Sequence, residues 1–545
     1  MKKTLRELAA GQEKGNDIIV AAVVDGVMKN LGETVDEEKQ PVWVRLSSAE
    51  GERIYRRSVL FLAIVALREL YGAANAELIV RASLNGSLYC DLEIPGGLTD
   101  GAVSAIEVQM RAIVAEDREI GRRVMPKDEA VRFFKEARRI PKANLLSALP
   151  DQEIVLSTCG EQCDDLYGVM LDRTGELGRF DLMRAKTGVL LRTPRGGNGL
   201  ELSKPIEQPK FAQTLRESKH WAKILQCEYL PDLNRCIQYG QTGNLIRVSE
   251  ALHEKKIAEI ADQITAGIKK ARLVMIAGPS SSGKTSFAQR LKVQLRVNGL
   301  MPVSISLDDY FVNRVETPLT PEGAYDYESL HALNVDLFNK DLVALMQGKE
   351  VVLPRYDFVT GERNDGAGPR LSIAPEQPII VEGIHGLNEE LTHAVPRDEK
   401  FKIYVSALTQ LNIDMHNRIP TTDARFVRRL VRDYQFRASS ALKTLRQWPD
   451  VRKGEDKNIF PYQEDADAVF NSALIYELAV LRKYALPLLQ AVRPEEVGHA
   501  AAQEILRFLS LFGNIDDESD IPNNSILREF IGKSCFFTSS GELKE

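Results

Sequence analysis

Between an apolar run, Leu273–Ala277, and a helical stretch, Ser286–Val293, lies Gly278-Pro279-Ser280-Ser281-Ser282-Gly283-Lys284-Thr285. This spacing, GxxxxGK[ST] after a strand and before a helix, is the pattern of a phosphate-binding loop. Glycines let the backbone curl so that successive N–H groups point at phosphate oxygens. The helix that opens at Ser286 adds a favourable partial charge. Lys284 would meet the β- and γ-phosphates, and the Thr285 hydroxyl would take a position on Mg²⁺. Two carboxylates stand where a parallel sheet collects its ligands, at strand C-termini. Val303–Leu307 ends in Asp308-Asp309, and Pro378–Val381 ends in Glu382. Asp308 suits a general base for phosphoryl transfer, and Glu382 suits Mg²⁺, directly or through water. The plainer alternatives are a turn cap and a solvated strand end. Arg425, Arg428 or Arg429, and Arg432 recur at helical spacing, either as a solvated basic face or as a lid that quenches charge on a triphosphate.

Elements must hold these groups in place. From residue 271 strands alternate with helices: Leu273–Ala277, Val303–Leu307, Pro378–Val381 and Phe401–Val405 are the clearest strands. The expected fold class is α/β, a P-loop NTPase-type parallel sheet, preceded by α+β modules. The chain of 545 residues is too long for one core. The spacing predicts a module over 1–50, with strands at Ile18–Val24 and Val42–Leu46, and a second over 51–200. The second has a helix over Arg57–Tyr71 capped by Gly72, strands Glu77–Ala82 and Ser87–Leu92 around an Asn85-Gly86 turn, and a helix over Asp100–Ala115. A connecting segment, 201–270, ends in a helix from Glu250 to Lys270, and a peripheral tail, 513–545, follows a catalytic domain of 271–512.

A net charge of -6 argues against sequence-blind nucleic-acid binding. No apolar run reaches the length of a membrane span, and the first residues lack the apolar core of a signal peptide, so a cytoplasmic setting is expected. The six cysteines form no CxxC pair and read as free thiols, with a zinc site on Cys159 and Cys163 as the minor alternative.

Over about 271–480 the ordered motifs resemble the uridine kinase and phosphoribulokinase group of P-loop kinases. Leu307–Phe311 is similar to that family's segment carrying the catalytic base, and Tyr325-Asp326 to the element whose Asp holds the ribose hydroxyls. Pro354–Thr360 resembles the stretch whose aromatics, here Tyr356 and Phe358, pack around the base, with Arg363 following. The resemblance implies ATP and Mg²⁺, a nucleoside acceptor such as uridine or cytidine, Arg429 facing the nucleoside, Arg432 and Arg437 on the phosphates, and Gln447 at a base-reading position. Uridine and cytidine kinases carry a His where this chain has Gly361 and an Arg where it has Ser439, so the base is left open. Another small alcohol of the same group, or an RNA-responsive NTPase, are the competing readings.

The stretch from Ile18 to about 200 resembles the front of threonyl-tRNA synthetases, a TGS (β-grasp) domain followed by an editing-type domain. Arg57 and Phe61 stand at that family's HxxxH positions, and Asp165–Met170 lacks its Cys and His, so no hydrolytic or metal site is expected. A structural role, oligomerisation, kinase regulation or binding of an RNA or nucleotide effector remain for this half.

Overall fold

The computed structural model describes every residue except 1, 13, 14, 85, 197, 198, 203–207, 321, 322, 324, 358, 541, 542, 544 and 545. The expected hairpin turn at Asn85 and part of the glycine-rich linker therefore lie outside the described residues.

The first module is a small antiparallel sheet. β1 (Ile19–Val24) lies between β2 (Val27–Lys29) and β3 (Val42–Arg45). The second is built on α1 (Ala49–Tyr71), which starts earlier than its apolar period suggests because the Ser48 hydroxyl accepts from the Gly51 N–H. Residues 58–68 of α1 are buried all round, so this helix is a core axis, not an amphipathic cover. It packs on β4 (Glu77–Leu84) and α2 (Asp100–Ala115), while β5 (Ser87–Glu93) pairs with β4 in a four-stranded antiparallel sheet.

The remainder is an α/β unit. Five parallel strands lie in the order β7-β8-β6-β9-β10: β6 (Leu273–Ala277), β7 (Val303–Ser306), β8 (Ile379–Glu382), β9 (Lys400–Ser406) and β10 (Ala468–Asn471). β10 has too short an apolar stretch to stand out in the sequence. Both faces of the sheet are covered, as a parallel sheet requires. Val274, Ile276 and Ile403 face one core with Ile257, Ile260 and Ile264 from α3 (Thr242–Gly267). Leu273, Met275 and Val381 face the other, with Leu342 and Leu345 of α5 (Val335–Met346); α4 (Lys284–Val297) is on the α3 side. Beyond β9 run α6 (Thr421–Phe436), α7 (Ala441–Asn458), α8 (Glu477–Gln490) and α9 (His499–Ser510).

Two expectations change here. The connecting segment is not a linker: Leu230, Leu233, Leu245 and Ile246 are buried in the same core as β6. Nor is the segment after Gly513 peripheral. Ile521, Ile526, Leu527 and Phe530 are buried in that core, because this stretch alternates polar residues with large apolar ones that close over the start of α4. The cysteines at 159 and 163 are free and buried, and no metal-holding cluster of His, Cys, Asp or Glu occurs among the described residues. No described helix is long and apolar enough to cross a membrane.

The two halves are clasped through the segment joining β9 to α6. Val80 of β4 donates its N–H to the Met415 carbonyl (2.9 Å), and the Asn412 amide donates to the Val80 carbonyl (2.8 Å). The buried His416 ring bridges Glu77 (2.6 Å) and Asp164 (3.2 Å), with Lys142 on the same Asp164 and Arg139 on Glu77. Burial opposes a charge on His416, but the two carboxylates outweigh it and hold its pKa above the usual imidazole range.

Candidate active site

The loop after β6 is held open by its own backbone. Gly283 has φ 82° and Ser281 φ 57°, a left-handed conformation that a serine adopts at a cost. Lys284 curls back over the loop, its ammonium donating to the carbonyls of Gly278 (2.9 Å) and Pro279 (3.3 Å). Burial lowers its pKa, with Glu382 opposing.

β8 delivers Glu382 beside the first turn of α4, where the Thr285 hydroxyl donates to its Oε1 (3.0 Å). The other oxygen, Oε2, is buried with no hydrogen-bond partner among the described residues. Burial pushes this carboxyl up to about 7. An orphaned buried carboxylate oxygen next to the loop threonine fits Mg²⁺, a hard cation that takes one or two protein oxygens and completes its shell with phosphate and water. Lys284 and the N–H groups of the loop fit a triphosphate in the same way.

β7 ends in a short 3₁₀ turn, Leu307–Tyr310, in which the Asp308 N–H donates to the Ser306 hydroxyl (3.2 Å). The Asp308 side chain is exposed to solvent, with protein crowded around it. Burial raises its pKa, Asp309 adds to the rise, and Lys284 opposes it. That Lys284 acts on both Asp308 and Glu382 places the three strand-end groups in one electrostatic neighbourhood.

Beside Asp308 is an aromatic wall. Tyr356, on the hairpin formed by Arg355–Asp357 and Glu362–Asn364, lies 5.5 Å from Phe311, ring centre to ring centre. Phe311 lies 6.3 Å from Tyr327, and Tyr327 lies 6.0 Å from Tyr325. Phe358 falls outside the described residues. Asp326 sits between the two tyrosines in sequence, with the Lys457 ammonium 3.8 Å away. Arg363 does not point a free guanidinium into the cleft: it donates to the Phe311 carbonyl (3.0 Å) and to Asp365 (2.6 Å). Gln447 is exposed on α7. Gly361 has φ 77°, and a side chain there would strike the guanidinium of Arg314. Arg314 therefore fills the space above Gly361, a packing that no spacing in the sequence reveals.

The arginines of α6 divide into two sets. Arg425 forms a buried two-point pair with Glu455 of α7 and also donates to the Ser280 carbonyl (3.1 Å). Arg428 pairs with Glu477 and donates to the Ser281 carbonyl (3.3 Å). These two lie beneath the loop as scaffold and are not lid groups, which corrects the single-face reading. Arg429 donates to the Ser280 hydroxyl (2.9 Å), so it meets the loop, not the aromatic wall. Arg432 lies 2.9 Å and Arg437 3.7 Å from the shared Asp433, with Arg437 60% exposed. Arg429, Arg432 and Arg437 are thus the cations on the open side. Sequence reasoning missed Tyr327, Arg314, Glu455 and Glu529; only the alternation Tyr325-Asp326-Tyr327 carried a local signal.

Known proteins resemble different stretches of this chain. Threonine–tRNA ligases of Acidithiobacillus ferrooxidans and Magnetococcus marinus are each 30% identical to this chain, over 166 and 184 residues of its N-terminal region. The matches cover 30% and 33% of this chain, which spans only 26% and 28% of those relatives. Among solved structures, a possible uridine kinase from Bacillus stearothermophilus (19% identity, TM-score 0.25) and a putative fructose transport system kinase from a Silicibacter species (16%, 0.26) each align with 39% of this chain and 98% of their own. The model of the Phosphoribulokinase / Uridine kinase family matches residues 273–476. Residues 273–476 therefore carry the pattern of the phosphoribulokinase / uridine kinase family, in a chain whose N-terminal region is similar to threonine–tRNA ligases.

Proposed function

We propose that the chain is an ATP- and Mg²⁺-dependent nucleoside kinase that phosphorylates the 5′-hydroxyl of uridine or cytidine. The observation that supports this reading is that Lys284 acts on both Asp308 and Glu382, while Phe311, three residues beyond Asp308, starts a chain of rings with Tyr356, Tyr327 and Tyr325. An aromatic wall beside a base suits a flat, stackable acceptor better than a phosphosugar or a flexible alcohol.

In this mechanism the loop N–H groups and Lys284 hold the triphosphate, with Thr285 and Glu382 as the residues that would hold Mg²⁺. The metal, when bound, neutralises charge on the phosphates. Asp326 accepts from the ribose hydroxyls, and Asp308 accepts the 5′-hydroxyl proton as that oxygen attacks the γ-phosphorus and the bond to the β,γ-bridging oxygen breaks, releasing ADP. Arg429, Arg432 and Arg437 offset the charge on the transferred group; Asp433 keeps them on the open side.

The test is purified protein with ATP, Mg²⁺ and a panel of nucleosides, read as nucleoside monophosphate by chromatography. Uridine or cytidine should give product, and Asp308→Asn should lower kcat by about 10²–10⁴-fold while leaving ATP affinity unchanged. ATP hydrolysis without a phosphorylated acceptor would reject the reading.

A further inference from the structure

The segment after Gly513 supplies a wall of the phosphate loop, and it brings a charge with it. Arg528 pins the segment by donating to Glu518 (2.8 Å) and to the Ile521 carbonyl (2.9 Å), and Cys535 N–H donates to the Asn523 carbonyl (2.9 Å). Ile526 lies directly against the α-carbon of Gly283, and the Phe530 ring sits 5.1 Å from the Arg428 guanidinium. This packing aims the next polar side chain at the start of α4. Glu529 Oε2 accepts from the Ser286 hydroxyl (2.7 Å) and from the Ser286 N–H (3.4 Å).

A second carboxylate touches the loop, Glu455 at the Ser280 N–H (2.9 Å), but Arg425 neutralises it. Glu529 has no such cation: among the described residues none of its contacts is an ion pair. Its charge also acts on Lys284, Glu382 and Arg437. A carboxylate without a direct ion pair at the first turn of this helix holds donors, and a positive dipole end, that suit phosphate oxygens.

We propose that the C-terminal segment is a built-in competitor of the nucleotide: Glu529 and an ATP phosphate contend for Ser286, and the segment withdraws its carboxylate when the triphosphate enters. This rests on residues 278–286 being the triphosphate cradle, but not on the identity of the acceptor. The strap lowers the chain's affinity for ATP and makes residues 522–535 a reporter of loop occupancy. A ligand or protein that binds the segment only when it is drawn outward raises ATP affinity, and MgATP raises that partner's affinity by the same factor.

The test is MgATP binding to the full-length chain by calorimetry, with hydrogen exchange read at amides 522–535. Replacing the charge in Glu529→Gln should tighten MgATP binding about tenfold, since a like charge so close to a phosphate is removed while the hydrogen-bonding shape is kept. In the unmodified chain, MgATP should speed exchange at 522–535. Unchanged binding in Glu529→Gln overturns the proposal. Weaker binding, with a matching loss on going from ATP to 2′-deoxy-ATP, overturns it in favour of a carboxylate that holds the nucleotide ribose. Slower exchange at 522–535 with MgATP also overturns it, independently of any variant. A folded, unmodified chain that fails to bind MgATP overturns the cradle reading together with the strap.

Discussion

Glu382 is the residue whose chemistry depends most on its surroundings. A carboxyl held near 7 by burial is largely ionised only above neutrality, so protons compete with Mg²⁺ at its open oxygen. The expected sign is a rising apparent Mg²⁺ affinity between about pH 6 and pH 8, flattened in Glu382→Gln. Magnesium titrations of ATP turnover at several pH values check this, and an unchanged half-saturation would remove Glu382 from the metal site. Asp308 shares the upward direction, from burial and the neighbouring Asp309, with Lys284 opposing. Its type and position follow from the sequence, because a strand that ends in Asp308-Asp309 can only present them at the ligand edge of the sheet.

At the scale of elements, α6 both shapes the loop and covers it. Its buried Arg425 and Arg428 each donate to a carboxylate, Glu455 of α7 and Glu477 of α8, and also to a loop carbonyl. Breaking a buried pair on one side leaves the other charge unpaired, so Arg425→Met should cost about 3–5 kcal/mol of stability in urea unfolding. A loss below about 1 kcal/mol would mean that the pair is solvated and that α6 is free of the loop. The heptad-free run Arg425–Asp433 showed basic residues on a helix. It did not show which face the open side and which are scaffold, since that depends on Glu455 and Glu477, one and two helices further along the chain.

On the scale of the whole molecule, the synthetase-like half holds the segment that leads into α6. His416, raised by Asp164 and Glu77 against burial, binds its proton more tightly folded than unfolded. That contribution to stability is fully present below about pH 6.5, the unperturbed imidazole value, and is lost as pH rises through the raised native value. Calorimetry should show a melting temperature that falls with pH over this window, and His416→Gln should remove that dependence. If the slope persists in His416→Gln, another group of the clasp titrates there.

The sequence by itself determined the phosphate loop, the strand-end carboxylates and the parallel α/β class. Each is encoded locally, in glycine positions, hydrophobic period and the residue that follows a strand. It also indicated the order of the N-terminal elements, since Ile18–Val24, Arg57–Tyr71 and Asp100–Ala115 carry their own apolar patterns, although the central helix starts earlier, at Ala49. Only the tertiary structure decided that Arg425 and Arg428 lie beneath the loop, that Arg314 covers Gly361, and that residues beyond 513 complete the kinase core. These facts join residues far apart in the chain through burial and charge pairing, which no local spacing records. Glu529 is the clearest case: a lone glutamate in the sequence becomes a partner of Ser286 at the start of α4 once Ile526 and Phe530 are packed.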